Sequence, residues 1–209
     1  TSMWKRAKGF FDVVAWGGAA GNVSTMPHSL GVAPELVILK YRGVSDAWYV
    51  YHTATTGNVY LNYASSTAGS TNYMANTTAT VFNTSLVSNP ANKPIAYLFA
   101  TLAGISKVGG YTGNDSNNHV IDCGFSNGAR WVLIKRLNAT GQWYLFDSVR
   151  GITVGSTDPF TMLNLTNADQ TEAAGMGPDA IQPDSSGFKL TSGSDLNQAS
   201  KTFLFYAIA

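Results

Sequence analysis

Residues that cross-link a chain or hold a metal ion are scarce in this sequence. Its 209 residues include one cysteine, Cys123, and three histidines, His28, His52 and His119. A single cysteine excludes an internal disulfide, and no set of cysteines and histidines has the spacing of a zinc site. We therefore predict neither a metal site nor a cofactor.

Charge is also scarce. Charged residues make up 12% of the chain, about half of the usual ~25%, and 13 basic residues against 12 acidic ones leave a net charge of +1. No basic field is available to hold a nucleic-acid backbone. The longest apolar run without charge, Pro94–Ile105, is shorter than the ~20 residues that cross a bilayer. We expect a chain that neither binds nucleic acid nor inserts into a membrane, with a surface rich in Ser, Thr and Asn.

The sequence contains an internal repeat. A shift of 95 positions places Val13–His52 over Val108–Asp147 without a gap, and both halves close on similar apolar runs, Ala96–Phe99 and Thr202–Phe205. Seven aligned positions are identical, namely Val13 with Val108, Gly18 with Gly113, Asn22 with Asn117, Val37 with Val132, Lys40 with Lys135, Trp48 with Trp143, and Tyr49 with Tyr144. We predict that residues 1–8 lead in from a preceding segment, that 9–105 form a first repeat and that 106–209 form a second.

Local patterns favour strands over helices. Glu35–Arg42 and Arg130–Arg136 are short runs rich in β-branched or aromatic residues, with charged ends. Each is followed after a short polar loop by a second such run, Trp48–Tyr51 or Trp143–Phe146. This arrangement predicts one β-hairpin in each half. Further strands are predicted at Phe10–Trp16, Val59–Tyr63, Ala79–Phe82, Ile95–Phe99, Val120–Cys123, Phe160–Leu165, Gly187–Leu190 and Thr202–Ile208.

Only Thr166–Ala173 has the pattern of a short helix, because an N-cap residue precedes two acids. The predicted fold class is therefore all-β, with two tandem, internally duplicated antiparallel β-sandwich domains of the jelly-roll type.

Aromatic residues at matched positions of the two halves are the candidate contact residues. Neighbouring residues of a strand point to opposite faces, so one member of each Trp-Tyr pair is expected to anchor the core. The other, Tyr49 or Tyr144 if the tryptophan is buried, could contact a ligand or a subunit. The candidates are Trp16, Trp48, Tyr49, Tyr111, Trp143 and Tyr144. Lys40 and Lys135, near the ends of matched strands, are expected to be solvated or to pair with a carboxylate.

Signals of catalysis are weak. Gly124–Gly128 fits the G-x-S-x-G pattern of a nucleophile elbow, but that mechanism needs a helix after the serine, whereas a strand is predicted there. A pair of carboxylates could hydrolyse glycosides, although the acids of the second half are expected to face water or to cap turns. These acids are Asp158, Asp169, Glu172, Asp179 and Asp184. We predict that the chain is not an enzyme and assign no catalytic residue.

Six runs distributed over nearly the whole chain resemble a repeat module found in virion proteins of tailed bacteriophages. They are Trp4–Val14, His28–Lys40, Tyr97–Ala100, Ile121–Phe125, Asp147–Gly151 and Phe203–Ala209. In that family the module commonly lies toward the C-terminal end of fibre-like or tail-associated proteins. The resemblance implies a structural role in the virion.

Three functions follow from these patterns, in decreasing order of support. The first is a scaffold of a phage tail or tail fibre, located in the virion and assembled with other virion subunits as a homo-oligomer, with a trimer favoured. The second is an adhesin module that binds a host-surface glycan through exposed aromatic residues. The third is a polysaccharide depolymerase that uses two of the loop acids.

Overall fold

The computed structural model describes residues 5–17, 24–67, 73–75, 77–85, 90–155, 157–172, 176–177 and 179–209. The first four residues of the predicted lead-in lie outside this set. The chain divides into two compact units, one formed by Thr1–Leu61 with Ala68–Leu102 and the other by Asn62–Thr67 with Ala103–Ala209. Each unit is described by itself below.

The first unit is built from two antiparallel sheets. Its strands are β1 (Phe11–Ala15), β2 (Ser24–Pro27), β3 (Leu36–Tyr41), β4 (Tyr49–His52), β5 (Val59–Tyr60), β6 (Met74–Ala75), β7 (Val81–Thr84) and β8 (Pro94–Phe99). One sheet has the order β1-β8-β3-β4-β5, and the other has the order β2-β7-β6. The predicted first hairpin is confirmed, since β3 pairs antiparallel with β4.

The second unit also has two antiparallel sheets. Its strands are β9 (Ser106–Thr112), β10 (His119–Asp122), β11 (Trp131–Arg136), β12 (Trp143–Asp147), β13 (Pro159–Met162), β14 (Gln170–Thr171), β15 (Ile181–Asp184), β16 (Gly187–Leu190) and β17 (Thr202–Ile208). The larger sheet has the order β14-β13-β12-β11-β17-β9, and the smaller has the order β10-β16-β15. The predicted second hairpin, β11 with β12, is confirmed.

The two units share one order of strands. If β9, β17, β11, β12 and β13 are read in place of β1, β8, β3, β4 and β5, the order of the larger sheets agrees, and the smaller sheets correspond in the same way. The shift of 95 positions carries β3 onto β11 and β2 onto β10, residue for residue. That one half was copied from the other stays a prediction.

Each unit buries an apolar core to which both of its sheets contribute. In the second unit, Phe188 of β16 and Phe205 of β17 meet edge to face with ring centroids 5.5 Å apart. In the first unit, Phe82 of β7 is fully buried in one cluster with Val37 and Leu98 of the larger sheet. Such shared cores are typical of sandwiches. The predicted all-β class with antiparallel sheets of the sandwich type is confirmed.

The helix predicted at Thr166–Ala173 is wrong over the residues that the structure describes there. Residues 166–169 are irregular, and Gln170–Thr171 form β14, which pairs with Pro159 and Phe160. Pairing with the edge of the larger sheet therefore overrides a weak capping signal. No helix in the described part of the chain is long and apolar enough to cross a membrane.

The segment Asn62–Thr67 belongs to the second unit although it comes from the first half of the sequence. The carbonyl of Ala64 accepts a hydrogen bond of 2.9 Å from the Gly141 N–H, and the Thr67 N–H donates to the Leu137 carbonyl at 3.1 Å. Both partners lie in the loop of the β11–β12 hairpin or beside it. The segment thus follows that hairpin loop.

Candidate functional site

The matched tryptophan of the second unit is an interior residue. Trp143 is 0% exposed and lies directly across from Lys135, which is also 0% exposed. The Lys135 ammonium donates to the carbonyls of Ala64, at 3.1 Å, and Gly141, at 2.6 Å. The prediction that Lys135 is a solvated strand end or a carboxylate partner is therefore wrong, because backbone carbonyls hold it inside the fold.

Burial changes the proton affinity of this lysine. Desolvation, helped by the nearby Arg136 charge, lowers the pKa of Lys135 from 10.5 to about 8. An unfolded chain consequently binds more protons at this site than the folded chain does between pH 8 and 10.5. Stability contributed by Lys135 therefore rises with pH in that window.

We predict that Lys135→Met removes this rise. Between pH 8 and about 9.5, the wild-type chain should gain about 2 kcal/mol of unfolding free energy relative to the variant. The tyrosines and Cys123 are present in both proteins, so their contributions to the pH dependence cancel when the two free energies of unfolding are subtracted. Urea unfolding at a series of pH values measures the effect, and a difference that does not change with pH would contradict it.

The matched tyrosines of the second unit are also packed. The ring of Tyr144 meets Phe160 edge on at 5.6 Å against the core. Tyr111 stacks on Phe203 at 4.9 Å and donates its hydroxyl to the Leu196 carbonyl at 2.8 Å. Burial raises the pKa of Tyr111 well above its ordinary value. Trp143 and Tyr144 point to opposite faces, as strand geometry requires, yet both are packed, so burial of the tryptophan does not leave Tyr144 on a free surface.

In the first unit Trp16 and Trp48 are half-buried. Trp16 packs against the core, with its ring 6.0 Å from Phe82 and edge on to it. Its buried indole N–H has no hydrogen-bond partner among the described residues. Trp48 lies beneath the Lys40 ammonium, which is 5.8 Å from the ring centroid, a cation–π arrangement. Lys40 also donates to the carbonyl of Asp46, so its partner is backbone rather than a carboxylate.

Tyr49 lies in a cluster of four tyrosines, which we call the tyrosine cluster. Its ring is 5.9 Å from Tyr41, 5.4 Å from Tyr60 and 5.8 Å from Tyr73, each approached edge to face. Tyr73 is 39% exposed, whereas Tyr41 is buried. The cluster therefore runs from the interior of the first unit to its surface.

One hydroxyl of this cluster, that of Tyr49, is held as a hydrogen-bond donor. The Tyr49 hydroxyl donates to the Asp46 carboxylate at 3.0 Å. Burial and this carboxylate raise the pKa of Tyr49. Burial, and after it the Asp46 charge, also raises the pKa of Tyr41 to about 12, although a hydrogen bond from Asn92 lowers it in part. Both phenols therefore stay protonated at neutral pH. Aromatic faces next to fixed hydroxyls are the surface that a sugar ring recognises.

The sequence prediction found Tyr49 but missed Tyr41, Tyr60 and Tyr73. Tyr41 could have been found from the hairpin, since it lies two residues beyond Leu39, which is the partner of Tyr49. Tyr60 is the partner of Tyr49 on the other side. Tyr73 carries no such signal, because a hydrogen bond from its N–H to the side chain of Asn58, the residue before β5, positions it.

The G-x-S-x-G segment forms a turn. Gly124 and Gly128 have φ of +70° and +78°, and β11 begins three residues after the second glycine. Ser126 is exposed on this turn and is followed by a strand rather than by the helix of a nucleophile elbow.

Two of the acids assigned to solvated loops are buried instead. Asp158 and Glu172 are 2% and 0% exposed. Glu172 accepts hydrogen bonds from the N–H groups of Asp158, at 3.3 Å, and Ile181, at 3.1 Å. Burial, followed by the Asp158 charge, outweighs these bonds and raises the pKa of Glu172 to about 7. The carboxylates hold backbone together at this point and are shielded from a polymeric substrate.

The described residues contain no group of three or more His, Cys, Asp or Glu side chains that could hold a metal ion. Arg150 instead bridges two acids, at 2.5 Å from Asp147 and 2.6 Å from Asp169. These charged residues therefore close a turn after β12.

Fold and geometry together define an all-β protein of the antiparallel sandwich type whose matched aromatic residues mainly build its interior. The chain belongs to the family described as a domain of unknown function (DUF7483), which it matches over residues 5–209. Comparisons with curated proteins and with solved structures found no match.

Proposed function

We propose that this chain is a structural module of a tailed-bacteriophage virion, placed in a tail fibre or a tail-associated fibre. The observation that carries the proposal is the packing of the matched aromatic residues Trp143, Tyr144 and Tyr111 into the second unit. A scaffold is expected to use its repeated residues for packing, whereas a duplicated ligand site would keep them on the surface. The resemblance of six sequence runs to phage virion modules supplies the biological setting.

Surface composition supports the same role. A net charge of +1 with few charged residues limits electrostatic adhesion to unrelated polymers. Hydroxyl and amide groups keep such a surface hydrated without charge. The module would then act mechanically, by presenting loops from stable sheets to neighbouring subunits, most simply as a homo-oligomer and preferably as a trimer.

Fractionation of phage particles tests the virion role. Particles are purified on a density gradient from a culture that expresses the protein, and the chain is detected with an antibody raised against residues 5–209. The proposal predicts that the chain sediments with infectious particles and stays with them after washing in high salt. Recovery only in the particle-free fraction would overturn it.

A second candidate function is glycan binding at the tyrosine cluster. The observation that favours it is the 39% exposure of Tyr73, whose ring meets that of Tyr49, the phenol that donates to Asp46. The aromatic face would stack on a sugar ring, while Asp46 would orient the Tyr49 phenol.

A glycan array separates adhesion from pure scaffolding. Adhesion predicts that wild-type protein binds a subset of host-derived glycans and that Tyr73→Ala loses that binding. Tyr63→Ala is the matched control, because Tyr63 is 50% exposed and lies outside the cluster. No binding to any glycan, or equal binding by the two variants, would reject the tyrosine cluster as a glycan site.

A further inference from the structure

The second unit contains an open cleft that none of the sequence patterns assigned to a ligand. Its volume is about 540 Å³, within the range of small-molecule sites. One wall is the segment Ser126–Arg130, and a second is Pro183–Ser185, where β15 ends. Ser148 and Ile152 complete the lining. Hydroxyl, amide, carboxylate and guanidinium groups therefore converge on one concave surface.

Backbone hydrogen bonds fix the two walls to each other. The Gly128 N–H donates to the Ser185 carbonyl at 2.9 Å, and the Ala129 N–H donates to the Gly187 carbonyl at 2.7 Å. Gly128 has φ of +78°, and a Cβ there would lie 2.7 Å from the Asp184 carbonyl oxygen. This position therefore requires glycine, and the close approach holds the cleft in a preformed shape.

The charged side chains of the cleft differ in how they are used. The Asp184 carboxylate accepts from the Ser186 hydroxyl at 2.7 Å and from its N–H at 2.9 Å. These bonds lower the pKa of Asp184, so it is ionised at neutral pH. Arg130 is exposed, and among the described residues its guanidinium has neither an ion-pair nor a hydrogen-bond partner.

The backbone of Arg130 is nevertheless fixed. Its N–H donates to the Ile208 carbonyl at 2.7 Å, and its carbonyl accepts from the Ser148 N–H at 2.8 Å. Because the backbone beneath it is already fixed, the guanidinium loses less conformational freedom when it binds a ligand. Its planar fork can form two parallel hydrogen bonds to a carboxylate. Among the described residues no carboxylate pairs with this guanidinium, so the arginine is available to an anionic ligand.

We propose that this cleft binds a sugar residue that carries a carboxylate, as uronic acids do. The Arg130 guanidinium would bind the sugar carboxylate, while Asn127, Ser185 and the Asp184 carboxylate would bind sugar hydroxyls. The Asp184 charge disfavours a more highly charged phosphate in the same space. A neutral sugar would leave the guanidinium unpaired. The inference is independent of the virion role and of the tyrosine cluster, which lies in the other unit.

The test uses isothermal titration calorimetry of the full chain with di- and trigalacturonic acid as probes. Wild-type protein should bind them, whereas their methyl esters, which lack the charge, should bind at least about tenfold more weakly. Arg130→Gln should lose about tenfold or more in affinity, and Arg130→Lys should restore only part of it because the fork is missing.

Arg42→Gln is the matched control, since it removes the same charge from an exposed arginine of the first unit. It should bind as the wild type does. Thermal unfolding of each variant confirms that the fold is retained. No binding at about 10 mM ligand, equal affinity of the acid and its ester, equal loss in both arginine variants, or tighter binding of inorganic phosphate would each overturn the proposal.

Discussion

Trp143→Ala should lower the free energy of unfolding by about 4 kcal/mol. The indole is 0% exposed and lies on the face of β12 that carries Lys135 across the hairpin. Its removal leaves a cavity beside a buried ammonium, and the surrounding sheet can relax only in part. Urea unfolding of the full chain, followed by circular dichroism, measures the loss.

Trp48→Ala is the control for this prediction. Trp48 occupies the matched position of the first unit beside Lys40, but it is only half-buried. We expect a loss of less than about 2 kcal/mol, because less apolar area returns to water. Equal losses in the two variants would contradict the assignment of Trp143 to the interior.

Glu172→Gln should change how stability depends on pH. The carboxyl is 0% exposed, and burial raises its pKa from 4.5 to about 7. Between these two values the folded chain holds a proton that the unfolded chain has released, so stability falls as pH rises through the window. The stability that this pKa shift contributes to the folded chain is about 3 kcal/mol. It is fully present below pH 4.5 and is lost above pH 7.

The glutamine variant should lack this fall. Its amide nitrogen cannot accept one of the two backbone N–H bonds that Glu172 accepts. We therefore expect the variant to have a free energy of unfolding about 1 kcal/mol below that of the wild type at low pH, and a smaller difference between the two proteins at high pH. Thermal or urea unfolding from pH 4.5 to 7.5 measures the slopes, and an unchanged slope in Glu172→Gln would refute the role given to this carboxyl.

The hairpins could be predicted from sequence because their strands carry dense local signals. Trp131–Arg136 and Leu36–Tyr41 each begin with four apolar residues and are followed by short polar loops, a pattern that decides both strand and partner. Strand β15 was missed because Pro183 interrupts it. The structure places β15 at the edge of its sheet, where proline is tolerated.

Burial of charged and aromatic side chains could not be predicted in the same way. Glu172 follows a stretch of polar residues, and its interior position depends on the N–H groups of Asp158 and Ile181, which are distant in sequence. Lys135 likewise depends on Ala64, more than 70 residues away in the chain. The alternation of residues along a strand indicates which side chains share a face of the sheet. Whether that face is buried depends on which other segments of the chain pack against it.

The cleft illustrates the same limit. The sequence pattern of Gly124–Gly128 points to Ser126 as a nucleophile. The feature that shapes the surface there is instead the close approach of Gly128 to the Asp184 backbone. Only the pairing of β16 with both β10 and β15 brings the two turns together. Sequence order separates them by more than fifty residues.

Hydroxyl-radical footprinting of the native chain, read out by mass spectrometry, tests the central claim that the repeated aromatic pairs are interior building elements. Each labelling rate is divided by the rate of the same residue in urea. The account predicts strong protection of Trp143, intermediate protection of Tyr144, Trp48 and Tyr49, and little protection of the exposed Tyr63. Labelling of Trp143 and Tyr144 at the normalised rate of Tyr63 would contradict it.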